Sequence, residues 1–170
     1  MTLWLAVAAS GCGSSRGDAT AQLVPFVAVP IGSPASMMVG AAGGTLTSSD
    51  GHLTVQIPAG ALGTDTPIAI QELELKDGWG WSLSPEGTRF AHPVTATMSF
   101  TTAEVGSPTM AGAHLQVPFL FASHPSTLDD PDSPLPITVD WRSAEGRVDY
   151  VAAIEHFSDL VLQKTAASWA

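Results

Sequence analysis

His156 and Ser158 flank Phe157 and place a base-type side chain two residues from a hydroxyl nucleophile. In a regular strand such a pair shares one face but stands about 6.6 Å apart. A base reaches only ~3 Å, so any reaction between the two needs a turn at this point. The alternative is that Phe157 fills a core while His156 and Ser158 satisfy backbone groups at that turn. Cys12 is the sole cysteine, so no intrachain disulfide is available. It closes the apolar run Leu3 to Ala9 after the small residues Ser10 and Gly11. That run is too short to span a bilayer and reads as the apolar part of a secretion signal. Trp79 and Trp81 flank Gly80 and read first as core and edge residues, whereas an exposed pair of indoles would stack on a sugar or a partner's side chain. Asp129, Asp130 and Asp132 put three carboxylates in one loop, without the spacing of an EF-hand. The histidines at 52, 92, 114, 124 and 156 show no metal-ligand spacing. No cofactor and no metal are implied.

The elements that must position these residues read as strands. Pro and Gly punctuate the chain at short intervals (13 and 16 residues), and no stretch holds a helical period for three turns. Leu53, Val55 and Ile57 alternate with Thr54 and Gln56, which buries one face and wets the other. Val94, Ala96, Met98 and Phe100 alternate in the same way with threonines and a serine. Leu115 to Phe121 and Ile137 to Trp141 supply further stripes. Ile68 and Ile70 change phase to Leu73 and Leu75, which suggests a bulge near Gln71. Asp50-Gly51 between two strand runs predicts a hairpin. The stretch 147–163 is too long for one strand and should break at His156 to Asp159. The fold class expected is all-β, an antiparallel two-sheet sandwich.

Sixteen acidic residues against six basic ones give a formal net charge of -10. That excludes nucleic acid as a partner, because its affinity comes from Lys and Arg on phosphates. A hydrophobic fraction of 45% excludes a disordered chain. Residues 13 to about 35 are small and Pro-rich and read as a flexible tether, with room for a short strand at Leu23 to Val29.

The junction Ala9-Ser10-Gly11-Cys12 resembles a bacterial lipoprotein signal-peptidase site. The resemblance implies that Cys12 is acylated and becomes the mature N-terminus, so the protein meets the membrane through that lipid. Gly13, where an aspartate would retain the product at the inner membrane, implies the outer membrane. The first cation, Arg16, follows the cysteine, which points to a start codon upstream of Met1. An ordinary cleaved signal, or a buried strand with a free thiol, is the alternative.

Gly43-Gly44-Thr45-Leu46, followed by a strand ending in Ile57-Pro58-Ala59-Gly60-Ala61-Leu62, resembles the opening of the ZU-five domain of ankyrins, netrin receptors and death-domain adaptors. Leu83 to Val94 is similar to that family's second block, and His156-Phe157-Ser158 to a third. The resemblance implies a β-sandwich over 36–164, after a signal at 1–11 and a tether at 12–35, with a tail at 165–170. It also implies a reaction. In some relatives the tripeptide cleaves itself, the serine attacking the preceding carbonyl to form an ester that water hydrolyses. Carried over, His156 is the base, Ser158 the nucleophile and Phe157 the scissile carbonyl. The principal expectation is a non-enzymatic binding or structural module at the cell envelope with a protein or glycan partner. Self-cleavage at Phe157–Ser158, and a carbohydrate-binding module using Trp79 and Trp81, are the alternatives.

Overall fold

The computed structural model describes residues 28–75, 78–106, 109–111, 114–116, 120–123 and 135–164. Strands succeed one another as β1 (Val29–Val39), β2 (Gly44–Thr47), β3 (Leu53–Ile57), β4 (Thr66–Glu74), β5 (Gly78–Ser84) and β6 (Arg89–Thr101). A single helical turn, α1 (Thr102–Val105), precedes β7 (Thr109–Ala111), β8 (His114–Gln116) and β9 (Leu120–Ser123). β10 (Ile137–Arg142), β11 (Arg147–His156) and β12 (Asp159–Lys164) complete the described chain. One antiparallel sheet runs β1-β4-β5-β12-β9 and the other β10-β11-β6-β3-β2, while β7 and β8 form a separate ribbon. The protein is an all-β, two-sheet sandwich.

Alternation explains the core. Val94, Ala96, Met98 and Phe100 of β6 are all buried, as are Leu53, Val55 and Ile57 of β3. They pack against Ile68, Ile70, Trp81, Leu83, Leu160 and Leu162 of the facing sheet. Turns sit where their residues require them. Pro58 ends β3, Gly60 adopts φ 78°, and the Ala61 N–H donates to the Pro58 carbonyl at 3.2 Å. The β2–β3 hairpin closes through a hydrogen bond of 2.8 Å from the Ser48 N–H to the Leu53 carbonyl, with Gly51 at φ 77°.

Four expectations change. Among the described residues strand pairing already runs from Val29, through the end of the stretch expected to be tether, since β1 pairs with β4 along both of its halves. The phase change in β4 is not a bulge of that strand, because β4 stays in unbroken register with β5. The extra residues, Gly32 to Pro34, lie in β1 opposite Gln71. Leu73 is instead buried on the outer face of its sheet, where a Cβ on Gly80 would stand 3.3 Å from the Leu73 Cβ. The single stripe expected over Leu115 to Phe121 is divided between β8 and β9, which belong to different sheets. In β10, Ile137 and Trp141 pack on the core, but Val139 is exposed because β10 is an edge strand.

Candidate functional site

The chain leaves one sheet for the other at His156 to Asp159. β11 ends at His156, opposite Arg89 of β6, and β12 begins at Asp159, opposite Ser82 of β5. The long terminal stretch thus breaks where its polarity changes. Phe157 is 1% exposed, and its ring meets Phe90 edge-on with centroids 4.8 Å apart. Its N–H donates to the Thr88 carbonyl at 2.9 Å, and its carbonyl accepts from the Gly87 N–H at 2.8 Å. The Pro85 to Thr88 turn therefore clamps this residue from both sides. That turn is itself closed by the Thr88 N–H and hydroxyl, which donate to the Pro85 carbonyl at 3.2 and 2.7 Å. Ser158 is buried, its carbonyl accepting from the Leu83 N–H at 3.3 Å. Its hydroxyl donates to the Asp159 carbonyl, also at 3.3 Å. His156 is half-buried.

What this corner can do follows from those distances. One backbone N–H, from Gly87, already polarises the Phe157 carbonyl, as a donor to a developing oxyanion would. Acyl transfer also needs the Ser158 hydroxyl turned back onto that carbonyl, whereas it points forward to Asp159. Among the described residues no non-glycine has a positive φ, so the backbone at 156–158 holds no left-handed strain.

The sequence blocks at 57–62, 83–94 and 156–158 meet at this end of the sandwich. The Ala91 N–H donates to the Ala61 carbonyl at 3.0 Å, joining the first two, and the Gly87 and Thr88 bonds to Phe157 join the second to the third.

The opposite end holds a second aromatic cluster. Trp81 is 0% exposed, and its Nε1 donates to Asp50 Oδ2 at 3.2 Å. Asp50 Oδ1 accepts from the Ser48 hydroxyl and from the His52 N–H, the latter at 2.9 Å. Trp79 is half-buried, with its ring 4.3 Å from that of Phe100. His52 stacks on Phe100 at 4.8 Å, with Nδ1 2.8 Å from the Ser99 carbonyl and Nε2 3.4 Å from a Glu104 oxygen. Trp79 and Trp81 thus form no exposed platform: a fully buried Trp81 has no face to offer a sugar. Period-2 alternation puts both indoles on the core side of β5, and that signal was present in the sequence. Asp50-Gly51 marks the hairpin in the sequence, but nothing local there shows that the Asp50 carboxylate receives Trp81 Nε1 and the His52 N–H, or that Glu104 faces His52. The Thr101-x-x-Glu104 spacing of a capping box was the clue to Glu104, whose carboxylate accepts from the Thr101 N–H at 2.7 Å. That N–H, then the Thr101 hydroxyl, hold the Glu104 carboxyl below its usual range.

On the outer face, Asp149 is buried, which by itself pushes its carboxyl up. Hydrogen bonds from Ser99 and Arg147, and the charges of Arg147 and Arg142, outweigh that and hold it below 3.8. The buried Tyr150 hydroxyl is pushed up to about 12 by desolvation. Among the described residues no three His, Cys, Asp or Glu side chains are grouped to hold a metal ion. Cys12, His124 and the carboxylates at 129, 130 and 132 lie outside the described residues. No family model matches this chain, and no curated protein matches it either.

Proposed function

We propose that this chain is a lipid-anchored, extracytoplasmic β-sandwich of ZU-five type, serving as a non-enzymatic binding or structural module at the cell envelope. The observation that favours this reading is the construction of the His156–Ser158 corner. Phe157 is core, both of its backbone polar groups are bound by one turn, and Ser158 is buried with its carbonyl paired to β5. These are the contacts of a joint between sheets. The meeting of three family-like blocks at that joint supports the ZU-five assignment, and the run ending in Gly11-Cys12 supports the anchor. In a two-membrane bacterium the outer membrane is its place. Radioactive palmitate should label the protein in cells, and Cys12→Ala should abolish the label. Labelling that persists in the variant would remove the anchor.

The Gly87 N–H on the Phe157 carbonyl favours one second reading, self-cleavage, with His156 as base and Ser158 as nucleophile. The expected result is an uncut chain by denaturing intact-mass spectrometry. A species ending at Phe157, lost on Ser158→Ala and increased by hydroxylamine, would reverse the ranking. Native size would not report the cut, because β12 is held between β5 and β9.

A further inference from the structure

The outer face of β2, β3 and β6 presents a lattice of hydroxyl and amide groups that neither end of the sandwich uses. Side chains alternate across a strand, so the residues between the core positions all stand here. Register sets them in ranks: Thr45, Gln56 and Thr95 lie abreast, and Thr47, Thr54 and Thr97 form the next rank. Strands lie about 4.8 Å apart and alternate residues about 6.7 Å apart, so six polar side chains tile a patch of roughly 10 by 7 Å. Pro58 and Pro93 wall one end of it. Together with Gly44, Thr45, Gln56 and Thr95 they line a groove of about 520 Å³, a size usual for small-ligand sites.

The lining contains no charged and no aromatic side chain. Thr47 and Thr54 bond to each other through their hydroxyls at 3.1 Å. The Thr45 and Thr95 hydroxyls and the Gln56 amide make no side-chain hydrogen bond to any described residue, so their donors and acceptors are available to an occupant.

We propose that this groove binds a neutral oligosaccharide. The net charge of -10 repels an anion, and a groove without a carboxylate gives a cation no partner. An apolar occupant would strip water from three polar groups and return no hydrogen bond. A peptide adding a strand would pair with the free edge of β2, a strand of four residues, and would lie beside the groove rather than over β3, which is paired on both sides. A neutral sugar chain meets the lining on every count. Its hydroxyls exchange hydrogen bonds with Gln56, Thr45 and Thr95, and its C–H faces rest on the prolines and threonine methyls. The inference rests on the binding-module reading and names that module's ligand class.

The test is an NMR titration of the full chain carrying Cys12→Ala, with maltohexaose, cellohexaose and chitohexaose as probes and polygalacturonate as the anionic control. At least one neutral probe should shift amide signals of β2, β3 and β6. Gln56→Leu and Thr95→Val, both outside the core, should each weaken that binding roughly tenfold, the worth of about one hydrogen bond, and leave the thermal melt unchanged. Shifts elsewhere, binding of polygalacturonate alone, no response to any neutral probe, or an affinity indifferent to both substitutions would each overturn the proposal. Because the titrated chain lacks Cys12, this result is independent of the palmitate label, and either can fail without the other.

Discussion

Phe100 shows how one residue joins the layers. It extends the buried face of β6, and its ring meets His52, Trp79 and Tyr150 with centroids 4.8, 4.3 and 6.1 Å away. Trp79 belongs to the facing sheet, so truncation at 100 removes contacts across the interior as well as along it. Phe100→Ala should cost roughly 3–5 kcal/mol, read as a lower midpoint in chemical denaturation. A midpoint equal to wild type would mean that the ring is not part of the packing. The same cluster accounts for the two indoles. Trp81 finds its buried N–H partner in Asp50, at the tip of the β2–β3 hairpin, which explains how a polar group is accommodated inside.

The hairpin itself depends on Gly43. That residue adopts φ 74° just before β2, and a Cβ there would lie 2.3 Å from the Ile57 carbonyl oxygen and 2.8 Å from the Pro58 carbonyl carbon. Both neighbours are backbone, so neither can swing aside. Gly43→Ala should destabilise by about 1–2 kcal/mol through the left-handed conformation alone, and by more through the displaced β3 end. The thermal midpoint should fall further than for Gly51→Ala, since Gly51 shares the positive φ but has open space around its Cβ position. Equal losses would show that the close approach to Ile57 contributes nothing. β1 manages its exposed edge differently. It pairs on one side only, and Gly32 to Pro34 interrupt its ladder, which blunts pairing with another chain.

Across the whole molecule, sixteen acidic groups make acid the informative stress. Asp149 links β6, β10 and β11 by accepting from Arg147 at 2.8 Å and lying 3.6 Å from Arg142, while Arg147 also donates to Ser99 at 2.8 Å. Its carboxyl is held lower in the folded state than its ordinary value of 3.8. A depressed carboxylate adds stability above its unfolded value, and that contribution disappears as pH falls through the folded one. Asp149→Asn should therefore lower stability at neutral pH, and the difference from wild type should shrink below pH 3.8. Denaturation curves at the two conditions give the comparison, and a constant difference would exclude the charge as the cause. Glu104 shifts in the same direction, so it adds to wild type's acid sensitivity without reversing the sign.

One-sided burial writes a period of two directly into a strand, so β3 and β6 were legible from Leu53 to Ile57 and from Val94 to Phe100. Backbone demands were legible too: Pro58 and Gly60 mark a turn, and the polarity change at His156 marks the sheet crossing. The limit is that alternation says which side of a strand is wet but not what lies beside it. That β6 sits between β3 and β11 is decided by pairings dozens of residues apart in the chain, such as Leu53 with Met98 and Phe100 with Val148. Edge position exposes Val139, and sandwich depth buries Trp81. The same long-range register turns Thr45, Gln56 and Thr95, unremarkable polar residues on three separate strands, into one rank. Local sequence sets conformation and phase residue by residue, whereas neighbours across a sheet are chosen only when the two faces close on a shared core.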